Sequence, residues 1–431
     1  MKKAMKKLAA ATLAGCMALS LAACGNGADS NSNSDSNASA NANEGGDGTS
    51  GALTVWYHDY SFEDSVVGVI EAFNEKYPEI EVDYEIKADG DYDNLLKTAI
   101  QSGEGPDLFW TNGTATSTLP DLVENQALAD LKDDVDFSFI PDSAMELVEV
   151  DGGAYAVPWM TMDTRTCYYN KAMFEENGWK IPGTFSEFEA LLAEIKGKGI
   201  TPLSQAYDSW CMLFAYEPIL AAYDPEYSAG LQDYSVKATD APAREAMAKM
   251  VEWADAGYFG DNWFGVLDSS NQSLAFTTGK AAMTLAGSWD AATFSMNNPD
   301  LDFGAFAIPS EDGTTGLVGT ASCGYSVNAG SKNLEAAKTF ADFCATKEAQ
   351  TIWVQSQGAV SGTTEIEPSS EIAKEISESG KGNVYRSWQN VLSSYSEGGE
   401  ASNLWADDFP KIFSKEMTVD ELMDEIAACM E

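Results

Sequence analysis

A single histidine, His58, is present among 431 residues, and this limits the available chemistry. One imidazole cannot build the two- or three-histidine zinc sites of hydrolases, and the chain has no H-E-x-x-H segment. Beyond Cys16 and Cys24, the cysteines are Cys167, Cys211, Cys323, Cys344 and Cys429. They are odd in number, too widely spaced for a zinc signature, and read as small buried hydrophobes. Asp89-Gly90-Asp91-Tyr92-Asp93 begins like a calcium loop, but its twelfth position is Ile100, where a bidentate acid is needed. Acidic residues are plentiful, yet no motif marks a catalytic pair. No metal, cofactor or catalytic residue is expected. What remains is recognition: 11 Trp, 17 Tyr and many Asp supply flat rings and charged acceptors for a binding site.

Charge narrows the partners. Lys plus Arg is 25 and Asp plus Glu is 68, a net charge of −43, which repels phosphate backbones and excludes a nucleic-acid partner. Four of the lysines, Lys2, Lys3, Lys6 and Lys7, precede an uncharged, largely apolar stretch from Leu8 to Ala23. That stretch is shorter than the roughly 20 residues of a membrane span and fits the core of a signal peptide. It ends in Leu21-Ala22-Ala23-Cys24, which resembles a bacterial lipobox. The resemblance implies cleavage after residue 23 and lipidation of Cys24. Leu13-Ala14-Gly15-Cys16 is set aside because apolar sequence continues after it. Residues 25–51 contain no Val, Ile, Leu or aromatic residue, so 24–51 reads as a lipidated flexible tether with a reach of ~30 Å. A body this acidic would not adhere to an anionic membrane by charge, so the lipid must hold it there.

The elements that would position a site begin after residue 51. Leu53 to Tyr57 reads as a strand, and Val66, Val67, Ile70 and Phe73 fall at helical spacing before Pro78. Ile80, Val82, Tyr84 and Ile86 alternate as a strand, Leu95, Leu96 and Ile100 suggest a helix, and Asp107 to Trp110 a further strand. This alternation predicts a parallel α/β arrangement. Ligands of such sheets bind beyond the carboxyl ends of the strands, here Tyr57 to Tyr60 and Trp110 to Gly113. Further on, 155–158 and 166–170 read as extended segments. Thr184 with Glu187 reads as a capping box for a helix carrying Phe188, Leu191, Leu192 and Ile195. Late helices are expected near 333–346, 348–357 and 418–429.

Several blocks occur in an order that resembles the extracellular solute-binding proteins of ABC importers, in particular the carbohydrate binders related to maltodextrin-binding protein. They are Phe73-Asn74-Glu75-Lys76-Tyr77-Pro78, Gly105-Pro106-Asp107-Leu108-Phe109-Trp110, Tyr155-Ala156-Val157-Pro158 and Tyr168-Tyr169-Asn170-Lys171. Gly178-Trp179, Pro182 to Phe188, Phe276 to Met283, Gly287-Ser288-Trp289 and Tyr325-Ser326-Val327-Asn328 complete them. The resemblance implies an α/β fold of two lobes with a hinge and a ligand cleft between them. Lobe 1 would comprise 52–163 with 322–378, and lobe 2 164–321 with 379–431. The chain would cross near Asp163 to Arg165, near Ala321 to Gly324 and near 377–382. It also implies a carbohydrate ligand, ABC permease subunits as partners, a lipid-held monomer at the outer face of the cytoplasmic membrane, and no catalysis.

A sugar presents hydroxyls at its edge and apolar C–H faces, so its site needs ring platforms with carboxylates and amides around them. By resemblance the ligand contacts are His58, Asp59 and Tyr60 after the first strand, then Trp110, Asn112 and the crossing acid Asp163. In the second lobe they are Tyr207, Trp210, Trp289 and Asp290, with Gly324 at the return crossing and Trp405 late in the chain. Thr111-Asn112-Gly113 lacks the acid–arginine pair of the maltodextrin protein, which argues against maltodextrin itself. Two competing functions remain: the same fold holding a polyamine, metal chelate or peptide, and a secreted glycosidase.

Overall fold

The computed structural model describes residues 51–431, apart from 88, 116–117, 233, 358, 369, 396–399 and 431. The signal peptide, Cys24 and the tether to residue 50 lie outside the described residues. The three opening strands form as their alternation predicts. β1 (Gly51–Tyr57) pairs in parallel with β2 (Ile80–Ile86) and β3 (Leu108–Trp110). Helices α1 (Glu63–Lys76) and α2 (Asp89–Ser102) make the crossovers. Val66, Val69, Ile70 and Phe73 form the buried stripe of α1.

The extended segment expected at 166–170 and the second half of that expected at 155–158 belong to one strand, β4 (Val157–Asn170), which Tyr155 and Ala156 precede. Its polar middle is tolerated because both edges are paired. β5 (Thr201–Ser204), β6 (Ala281–Gly287), β7 (Phe303–Phe306), β8 (Leu317–Val327) and β9 (Val384–Tyr385) complete a mixed nine-stranded sheet of order β2-β1-β3-β8-β4-β6-β5. β7 joins β4, and β9 joins β8. β4 and β8 run antiparallel through the middle, with register slips between Ala321 and Ser322 and between Ser322 and Gly324.

Two large cores flank these central strands. The first gathers β1 and β3 with Phe73, Trp159, Tyr325 and Trp353. Trp159 and Trp353 stack at 4.0 Å and 3°. Helices α3 (Phe185–Gly197), α4 (Ser209–Tyr223), α5 (Ala241–Asp255) and α6 (Asp290–Asn297) follow in the middle of the chain. The second core holds Phe188, Leu192, Leu203, Met212, Trp253 and Met283 with residues of the last helices. At the head of α3 the Thr184 side chain accepts from Glu187 N–H, but the reciprocal arm of Glu187 reaches Gly183 N–H at 2.7 Å instead of Thr184.

The later helices are α7 (Leu334–Ala345), α8 (Lys347–Gln357), α9 (Glu371–Ser379), α10 (Trp388–Tyr395), α11 (Glu400–Phe413) and α12 (Val419–Cys429). The buried Gln350 of α8 ties it to β4: its amide donates to Pro158 O and accepts from Met160 N–H. Val360, Ala373 and Ile376 pack with Tyr168, Phe276 and Phe294. Glu375 of α9 accepts from Ala305 N–H on β7. Helix α9 thus stands beside strands of the 164–321 segment.

Candidate functional site

The turn after β6 is fixed to β4 residue by residue. Ser288 N–H donates to Thr164 O at 2.8 Å. Its hydroxyl donates to Met162 O at 3.0 Å and accepts from Thr164 N–H at 3.2 Å. Tyr168 shares its hydroxyl proton between the carbonyls of Gly287 and Ser288. Asp290 closes the turn by accepting from Gly287 N–H at 3.1 Å. This fixes the direction of Trp289, whose indole packs against both cores. It meets Phe214 edge-on at 5.2 Å. Burial pushes the Asp290 carboxyl from 3.8 up to about 7; the Gly287 N–H opposes the shift and the Asp59 charge adds to it.

Behind Trp289 lies a buried ion pair. Arg165 Nε and Glu217 Oε2 are 2.8 Å apart, with side chains 4% and 1% exposed. The Arg165 guanidinium stands over the rings of Phe214 and Trp289 at 4.7 and 5.4 Å, and its Nη1 donates to Asp163 O at 2.8 Å. Glu217 Oε1 accepts from Trp388 N–H at 2.6 Å. Burial raises the Glu217 carboxyl, and Arg165 and the Trp388 N–H pull it back.

These groups form one side of a cleft. Asn112 beyond β3 and Leu147 line it from the side of the first core, Trp210 from the head of α4, and Trp289 between the two cores. Asp163, Arg165, Thr320, Ala321 and Cys323 supply its floor from β4 and β8. Ser387, Gln389 and Asn390 approach from the head of α10. The open space at the cleft is small, about 70 Å³, where small-molecule pockets run to ~300–1,000 Å³. Burial pushes the Cys323 thiol up, with the Asp163 charge adding, so it stays protonated and is no nucleophile.

Of the expected contacts, Asn112, Asp163, Trp210 and Trp289 come together on this cleft. Asp290 is buried one residue beyond Trp289, and the half-buried Asp59 lies near enough for its charge to reach Asp290. His58 is half-buried, with its ring 5.1 Å from that of Trp110, and Tyr60 is exposed. Trp110 is buried in the first core beside Tyr57, and its Nε1 donates to Asn112 Oδ1 at 3.3 Å. It supports a cleft residue without lining the cleft. Tyr207 donates to Pro410 O at 2.8 Å and packs on Trp263 and Phe264. Gly324 is buried against β4, where a Cβ would fall 1.8 Å from Val157 O, so its lack of a side chain serves strand pairing. Trp405 is buried in the second core and stacks on Phe409 at 4.5 Å.

Sequence reasoning did not single out Glu217, Thr320, Ser387, Gln389 or Asn390, although Trp388 in the same segment is a competing candidate for the late stacking ring. Glu217 carried a signal: it is the one charge in the apolar run from Cys211 to Tyr223, and a helix buries such a residue only with a partner. Thr320 and Ser387 have no comparable mark. Among the described residues, no group of three or more His, Cys, Asp or Glu could hold a metal ion, and no helix is long and apolar enough to cross a membrane.

A two-lobed α/β fold with a ring-lined cleft over its crossing strands defines a solute-binding protein. The model of the family "Bacterial extracellular solute-binding protein" matches residues 61–351, well over half of the chain, and the chain belongs to that family. It is 28% identical over 315 residues to the multiple sugar-binding protein of Streptococcus mutans, covering 69% of this chain and 72% of the relative. It is 27% identical to the diacetylchitobiose binding protein of Streptomyces coelicolor, covering 78% and 76%. A solved structure from work on xylan utilization by Caldanaerobius polysaccharolyticus superposes with a TM-score of 0.72 at 22% identity, covering 88% of this chain and all of the other. That likeness shows the fold.

Proposed function

We propose that the chain is the receptor of an ABC importer that captures a sugar or oligosaccharide outside the cell and delivers it unaltered to the membrane permease. The observation that carries this reading is the cleft itself, where Trp210 and Trp289 stand with Asp163, Asn112, Gln389 and Asn390. Rings matched to C–H faces and polar groups matched to hydroxyls are what a saccharide demands. The sugar ligands named for the two relatives agree with it. The two cores support lobes of 52–163 with 322–357 and 164–321 with 359–431, the third crossing placed before α9 because of that helix's packing on β7. Lipid on Cys24 would hold the monomer at the outer face of the cytoplasmic membrane.

The test is a thermal-shift screen of the purified chain against neutral mono- and oligosaccharides and polyamines, followed by calorimetry. A sugar at 100 times its Kd should stabilise the fold by about 2.7 kcal/mol. Chromatography should then recover that sugar unchanged after long incubation. A polyamine hit with no sugar hit would overturn the ligand class, and a hydrolysis product would overturn the transport role.

A further inference from the structure

An ion pair joins the two walls of the cleft at its rim. Leu147 lines the cleft from one side and Ser387 from the other, and each has a charged neighbour, Glu146 and Arg386. Arg386 Nη2 donates to Glu146 Oε2 at 3.4 Å. The Glu146 side chain is 65% exposed and that of Arg386 22%, so the pair stands at the solvent edge. Leu147 belongs to the first core, and Trp388, two residues after Arg386, to the second. Parting the walls therefore separates these two side chains.

Both backbones are braced. Leu147 O accepts from Thr114 N–H at 2.8 Å, and a Cβ on Gly113 would fall 2.3 Å from the same carbonyl. Glu146 N–H donates to Asp142 O at 3.0 Å. Across the rim, Tyr385 pairs with Val318 of β8, and Glu217 accepts from Trp388 N–H. The Arg386 guanidinium lies over the Tyr234 ring at 5.2 Å, and its Nη1 donates to the Tyr234 hydroxyl. Exposed ion pairs usually gain little, because two long side chains must be frozen to make them. Here the guanidinium is already packed on a ring, so less freedom is lost when Glu146 meets it.

We propose that Arg386 is a positioning residue that, through Glu146, latches the cleft walls together, so that the pair must part before a solute leaves. This goes beyond the saccharide reading, because it holds for any solute over which the walls close.

The first test needs no ligand. Cys323 is buried on the cleft floor, so a maleimide reaches its thiol as the walls part. Peptide mapping of the labelled full chain gives the rate at Cys323, with Cys167 and Cys344, buried in the two cores, as controls for unfolding. E146Q should speed Cys323 labelling by about 2- to 5-fold. R386E and E146R each set like charges across the rim and should speed it by ~10-fold. The swapped pair E146R/R386E keeps the net charge and should return within about 2-fold of wild type. A merely structural role for either residue would not be rescued by the swap. Where R386E also exposes Cys167 or Cys344, E146R decides, since its side chain stands mostly in solvent. In a second test, stopped-flow release of xylotriose, raffinose and diacetylchitobiose should show the same order in off-rate for any of them that binds. Unchanged Cys323 labelling in E146R, or no rescue by the swap, would overturn the latch. Failure of every sugar to bind would count against the saccharide reading and leave the labelling result to judge the latch.

Discussion

Gly287→Ala moves the Trp289 ring without removing it. A Cβ built on Gly287 falls 2.2, 2.3 and 2.5 Å from Cζ2, Cε2 and Cη2 of the indole, whereas ordinary contact begins near 3.4 Å. The ring must retreat by on the order of 1 Å, because the turn behind it is tied to β4 through Ser288 and cannot follow. A gap of that size forfeits a quarter to a half of the dispersion energy of a contact. A Trp hot spot is worth about 2–4 kcal/mol, so we expect a loss of about 0.5–2 kcal/mol, or roughly 2- to 30-fold in Kd. Overpacking should cost ~1–3 kcal/mol of stability, which denaturant unfolding measures separately. The decisive assay is calorimetry on a double-mutant cycle with Trp289→Ala. Once the indole is gone, the added methyl strikes nothing, so the second substitution should cost no further affinity. Unchanged affinity for Gly287→Ala alone, or losses that simply add in the double variant, would refute the placement of this ring at the ligand.

Two further expectations follow from the same region and from the start of the chain. Asp290 has a folded value of about 7 against 3.8 unfolded, so between those values the folded state holds a proton that the unfolded state has released. Stability attributable to this group is present below pH 3.8 and falls as pH rises toward 7, by ~1.4 kcal/mol per unit at most. Asp290→Asn should therefore flatten the wild-type decline between pH 4 and 7, and parallel urea-derived stability profiles would refute it. Cys24→Ser should move the protein from the membrane fraction to the medium or periplasm, and retention with the membrane would count against lipid attachment.

Much of the first half was legible because its signals are local. The 2-residue period of Ile80 to Ile86 and the helical spacing from Val66 to Phe73 gave β2 and α1 as found. The joining of 155–158 to 166–170 was not legible. Polar Thr161, Asp163, Thr164 and Arg165 break the apolar pattern, and only pairing with β8 and β6 shows why the chain stays extended there. In the site, Trp210, Trp289, Asp163 and Asn112 share one cleft, while Trp405 carries the same residue type into a core. Ring chemistry alone does not tell a platform from packing. The Arg165–Glu217 pair escaped because its partners stand 52 positions apart on a strand and a helix, and nothing local connects them.

The slipped pairing of β8 at Ala321 to Gly324 has a mechanical consequence. A ladder interrupted twice in three residues resists bending less than its regular neighbours. Any parting of the two halves must flex β4 and β8, so the deformation concentrates at that weak stretch. Ala321 and Cys323 are also cleft floor. On the proposed reading a bound sugar would rest on these same peptide units, so its arrival should be felt there directly. Amide deuterium uptake at 321–324 would read the jaw's position from its own axle.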